Sequence, residues 1–280
     1  MRLSLNAATR IALFACLYLF FLVVTSVVVQ LLVSRHPDST AVMRIGAVVQ
    51  DVFMFIVPAV VTALLLTRLP AQFLSIDRKP SVPATVCGLL ALVCSIPAMN
   101  RIISMNASMH LPESMAAIEA WMRQSEAAAQ HSIDLIIGPH TIPSLMMTVL
   151  IMGIFAALGE ELFYRGALQR LLLSTRINAH AAVWITAFIF SAMHMQFFGF
   201  VPRLLLGAFL GYAVLWSGSL WVSVILHAAN NIMYLGGQYM AQAAPAVAAG
   251  ADNAGNLLVN TLSAGCAALF IYLMYRLRRQ

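Results

Sequence analysis

Eight apolar stretches, at residues 11–34, 45–67, 82–100, 142–161, 179–195, 201–217, 220–240 and 255–275, divide this chain of 280 residues. Each is close to the ~20 residues that an α-helix needs to cross the hydrocarbon of a bilayer. There the backbone must satisfy its N–H and C=O groups within its own segment, which leaves a chain patterned like this helices and little else. Charge is correspondingly scarce: 9% of residues are charged and 61% hydrophobic, with a mean hydropathy of +0.88. Soluble domains carry about 25% charged residues, so a soluble enzyme and a disordered chain are excluded. The net charge of +6 is spread over short loops and forms no basic block, which excludes a nucleic-acid binder. The expected fold is an all-α polytopic membrane protein, with about eight transmembrane helices in a single domain over residues 1–280. The first stretch is too long for a signal-peptide core and no small-residue cleavage site follows it, so it is expected to stay as a helix. Its four cysteines lie in apolar stretches without C-x-x-C spacing, and no disulfide framework or cysteine zinc site is expected.

Orientation follows from the arginines and lysines. With the N-terminus in the cytoplasm, the inside segments hold Arg2, Arg10, Arg68, Arg78, Lys79, Arg165, Arg170, Arg176, Arg276, Arg278 and Arg279, which is 11 of the 16 basic residues. Arg35, Arg44, Arg101, Arg123 and Arg203 are left outside, with Asp38, Glu113, Glu119, Glu126, Asp134 and Asp252. Both termini are therefore expected in the cytoplasm, in a bacterial inner membrane. The 101–141 connection faces outward, and its 113–131 part has the apolar spacing of an amphipathic helix lying at the interface.

Ionisable groups inside a span are costly and need a reason. Asp51 stands alone in its stretch and reads as a structural hydrogen bonder. In Gly159-Glu160-Glu161-Leu162-Phe163-Tyr164-Arg165 the two glutamates point about 100° apart on a helix, so they cannot share a task. Glu161 and Arg165 are spaced for an ion pair with the acid N-terminal. Glu160 is left unpaired in low-dielectric surroundings, the setting of a general base. His194 closes the fifth stretch, and His227 and Asn231 share one face of the seventh. A carboxylate, two histidines and an amide can activate a water and hold an oxyanion. Gly207-x-x-x-Gly211 reads as helix packing, and no H-E-x-x-H or G-x-S-x-G motif is present.

Glu160-Glu161-x-x-x-Arg165, Phe190-x-x-x-His194 and His227-x-x-x-Asn231 resemble, in order and separation, the three motifs of the CPBP family. This is the family of CAAX proteases and bacteriocin-processing enzymes, also called Abi, with the type II CAAX prenyl endopeptidases among its members. The motif-bearing core covers about 144–236. The resemblance implies an eight-helix intramembrane endopeptidase acting on a membrane-associated peptide or protein. In it, Glu160 with His194 activates water, His227 and Asn231 stabilise the oxyanion, and Glu161 and Arg165 support the site. The family is described as metalloproteases, yet the motifs leave two readings open. Glu160, His194 and His227 make a possible set for a divalent metal such as Zn2+, and a Glu–His pair activates water without one.

Two other functions compete. A non-catalytic scaffold or bacteriocin-immunity protein could use the same fold, but it needs no Glu160, His194, His227 and Asn231 set. A transporter would show paired broken helices or inverted repeats, and none is visible. For Glu160 to meet His194, the fourth helix must continue past residue 161 to about residue 174.

Overall fold

The computed structural model describes residues 5–243 and 256–278; Arg2, Asp252 and Arg279, and the first residue of the eighth stretch, lie outside them. Every regular element among the described residues is helical. The principal helices are α1 (Ala7–Arg35), α2 (Thr40–Leu66), α3 (Val82–Ala107), α4 (Ala116–Ile137), α5 (Ile142–Leu173), α6 (Ala179–Met193), α7 (Phe200–Ser217), α8 (Leu220–Ala243) and α9 (Leu257–Arg276). Polar residues cut the apolar chain into these pieces. Asn6, Ser39, Ser81, Thr141, Asn178 and Asn256 each cap a helix by accepting a backbone N–H three residues on. That bond satisfies a donor the helix itself leaves free.

All eight expected stretches are helical, but the count of eight spans is not reproduced. Among the described residues, 6 helices are long and apolar enough to cross a membrane, namely α1, α2, α3, α5, α9 and the Phe197–Ser217 segment that contains α7. The shorter α6 is apolar throughout, and α8 is interrupted by His227, Asn230 and Asn231. The fourth apolar stretch ends at residue 161, and its helix continues, as the meeting of Glu160 with His194 requires. Helix α5 runs on to Leu173, because the buried face of its second half is apolar apart from Arg165 and Gln169. Glu160 therefore lies in the body of a helix.

Two long helices are not regular. Residues Asp51–Ile56 of α2, and Val149–Phe155 and Leu162–Gln169 of α5, are wound as π-helical turns. Such wide turns are uncommon and recur at functional sites. Around them Phe14, Phe55, Phe163, Tyr164 and Phe190 form a buried aromatic core. On the far side, Cys94 and Cys266 are free thiols whose sulfurs lie 3.1 Å apart between α3 and α9.

The 101–141 connection is helical as expected, with α4 flanked by a single turn at Glu113–Met115. Trp121 packs on Phe197 at 5.1 Å, the Arg123 guanidinium lies 4.4 Å over the Phe198 ring, and the Phe198 N–H donates to Glu126 at 3.3 Å. Helix α4 is thus docked on the turn that follows His194. Its other end is held by Arg44, expected as a loop charge, which donates to the Ile136 and Ile137 carbonyls at 2.9 Å and to Ser144 and Thr148. These are the free carbonyls of a helix C-terminus, where a cation is favoured.

Candidate active site

The site is built from α5, α6 and α8, held by one buried carboxylate. Glu161 is fully buried, and its Oε1 accepts from Arg165 Nη1 at 2.5 Å and from His227 Nδ1 at 2.8 Å. Its Oε2 accepts from the Ser223 hydroxyl. Arg165 donates from Nη2 to the Gly207 carbonyl on α7 at 2.9 Å, and its guanidinium stands 4.7 Å over the Phe190 ring. A cation this deep in a membrane needs such partners. The expected Glu161–Arg165 pair is present, and it reaches further than the helical spacing alone shows.

Glu160 points elsewhere, as the angular offset of adjacent helical residues requires. Its Oε2 is buried without a hydrogen-bond partner among the described residues. It lies 3.8 Å from Nε2 of His227, too far for a hydrogen bond yet close enough for a third atom to touch both. The ionised Glu161 only accepts, so the hydrogen of His227 sits on Nδ1. His194 likewise directs Nδ1 to the Phe190 carbonyl at 2.8 Å, which leaves its Nε2 available as an acceptor. Phe190, the first residue of the second motif, packs edge-on against both His194 and His227, at 4.9 and 5.8 Å.

Asn231 donates from Nδ2 to the Met152 carbonyl on α5 at 3.1 Å. The π-turn makes room for this contact, since the Ala156 N–H bonds Ile151 and not Met152. An amide nitrogen has two hydrogens, so one remains. Asn230 reaches no further than Asn231 Oδ1, at 3.5 Å. Among the described residues no three His, Cys, Asp or Glu side chains are grouped as metal ligands.

Two neighbours, Ser223 and Arg203, were not singled out in the sequence as part of the site. Ser223 lies four residues before His227, one helical turn along the same face, and that spacing was the available signal. Arg203, assigned to the external loops, is the first-turn cation of α7 and holds the backbone and side chain of Gln196 at 3.2 and 2.7 Å. It fixes the turn after His194, where Met195 has a positive φ of 53°. Asp51 is buried in the α2 π-turn, against α5 beside Glu160. A Cβ at Gly159 would lie 3.3 Å from the Asp51 carbonyl, so the close approach of the two helices needs a glycine.

These positions fall within a single family signature. Residues 142–233 match the family model for type II CAAX prenyl endopeptidase, Rce1-like. This is the family that the three motifs resemble. The Rce1-like segment contains Glu160, Glu161, Arg165, His194, His227 and Asn231, while α1–α4 and α9 lie outside it. The curated proteins and the solved structures gave no match. Within this segment Glu161 of α5 bonds Arg165 on its own helix and Ser223 and His227 on α8, and Arg165 bonds the Gly207 carbonyl of α7.

Proposed function

We propose that this chain is an intramembrane endopeptidase of the CAAX-protease type, cutting a membrane-associated peptide or protein. The observation that carries the reading is the approach of Glu160 to His227 without a bond between them. Glu160 takes a proton from water, and His194 accepts the second hydrogen at Nε2, orienting the oxygen towards the scissile carbonyl. The hydroxide adds to the carbonyl carbon, and negative charge develops on the carbonyl oxygen. His227 donates to that oxygen from Nε2 when both of its ring nitrogens carry hydrogen. The second Nδ2 hydrogen of Asn231 supplies the other donor. The proton held by Glu160 then passes to the departing amine.

Comparison of the membrane peptidomes of cells carrying wild type and Glu160→Gln tests this. Peptides cut only by the wild type support the enzyme; identical peptidomes, with both proteins folded, would identify a scaffold or immunity protein. Both termini and the 69–81 connection are read as cytoplasmic, from the 11 basic residues on that side. A membrane-impermeant maleimide added outside should label Ala120→Cys and spare Gln72→Cys. The reverse pattern would invert the topology.

A further inference from the structure

A cavity of about 180 Å³ opens where the C-terminal halves of α5 and α7 meet the connection between α2 and α3. Its lining includes Arg78, Arg165 and Arg170 and, among the described residues, no acid. Only Arg165 has a carboxylate within ion-pair distance, and that is Glu161. Even so, the Nε–H of Arg165 has no hydrogen-bond partner although its side chain is fully buried. A buried donor without a partner is rare in a folded chain. Here it coincides with three cations converging on one hollow.

The walls of this hollow are fixed. Gly218 ends α7 in the left-handed conformation at φ 70°, and a Cβ there would lie 2.7 Å from Arg78 Nη1. The absent side chain is what lets the Arg78 guanidinium in. Ser75 also has a positive φ of 58°, and its carbonyl receives the Leu220 N–H at 2.9 Å. Ser219 Oγ holds the Arg78 carbonyl at 2.7 Å. Arginines that only mark topology would be free to spread into water. Arg78 is instead anchored through its backbone beside a cavity with room for about six waters, at ~30 Å³ each.

We propose that this cavity is an anion site that takes a phosphate group. Guanidinium forks match phosphate oxygens in geometry and charge. The cavity lies at the end of the bundle that carries Arg68, Arg78, Lys79, Arg170 and Arg176. Basic pockets between spans bind anionic headgroups, and Leu173 and Leu215 give this one an apolar edge. The phosphate can belong to an anionic phospholipid or be free in solution. The site shares Arg165 with the Glu161 network, whereas Arg78 and Arg170 have no part in the proposed proteolysis.

The test is native mass spectrometry of the full chain with phosphatidylglycerol or phosphatidylcholine, together with melting curves in inorganic phosphate. Arg78→Gln and Arg170→Gln alter exposed side chains at the mouth, and Arg176→Gln, outside the cavity, is the control. Each mouth substitution should weaken phosphatidylglycerol retention by about tenfold or more, with Arg176→Gln unchanged and phosphatidylcholine not retained. A lipid source is shown if inorganic phosphate neither displaces the lipid nor raises the melting temperature. A free-phosphate source is shown if it does both and needs Arg78 and Arg170. Equal retention by wild type and the Arg78→Gln, Arg170→Gln double variant would overturn the proposal, as would equal retention of the two lipids.

Discussion

Glu161 Oε1 lies 2.8 Å from His227 Nδ1 and serves at the same time as the acceptor for Arg165. One carboxylate oxygen thereby ties α5 to α8 and fixes the hydrogen of His227 on the ring nitrogen that faces away from Glu160.

That tie separates the two adjacent glutamates experimentally. Glu161→Gln leaves Arg165 buried without its counter-charge, and breaking a buried pair in this way costs about 3–5 kcal/mol. The variant should melt markedly lower and accumulate poorly. Glu160→Gln, which disturbs no bond, should fold like wild type and fail to cleave. Thermal unfolding in detergent, read beside single-turnover cleavage, checks both; equal melting temperatures for the two variants would sink the assignment.

The two asparagines of α8 should also part company. Asn231→Ala removes a donor that acts only as charge develops, so turnover should fall about 100–1,000-fold while substrate affinity is retained. Loss of the bond to Met152 should lower stability as well, by about 1 kcal/mol. Asn230→Ala breaks only a long contact to its neighbour and should change little. A larger loss for Asn230→Ala would remove the oxyanion role from Asn231.

Arg44 makes a prediction unrelated to chemistry. Arg44→Met keeps the length of the side chain and loses all of its hydrogen bonds to Ile136, Ile137, Ser144 and Thr148. We expect a stability loss of about 1–3 kcal/mol and faster hydrogen exchange at the start of α5, with the Glu161 network intact. Unchanged exchange there would show that the clamp is dispensable.

Glu119, in the connection between α3 and α5, provides a pH signature. The Leu111 N–H, Arg123 and His110 bond its carboxylate and lower its pKa from 4.5 to about 2. The folded value is the lower one, so the clasp is complete above about pH 4.5, weakens as pH falls, and is lost below about pH 2. The protection factor of the Leu111 amide should fall as pH drops through that window in wild type, and be low already at pH 7 in Glu119→Ala. Protection of Leu111 independent of both pH and Glu119 would contradict this.

Much of this protein was legible from residue order alone, because the bilayer leaves the backbone one solution. Apolar runs of about 20 residues must become helices wherever they sit, and Asn, Ser and Thr before them mark the starts. The Glu161–Arg165 pair and the shared face of His227 and Asn231 were legible for the same reason, since helical geometry fixes neighbours at a spacing of four. Contacts between helices are not encoded in that periodicity. Only tertiary packing brought Ser223 and His227 onto Glu161, set Asn231 on the Met152 carbonyl, and turned Arg44 and Arg203 from loop charges into clamps. The extent of α5 was decided in the same way. Burial of its second half against α6 and α7 carries the helix through Arg165 to Leu173, because partners on neighbouring helices offset the cost of placing that charge in the membrane.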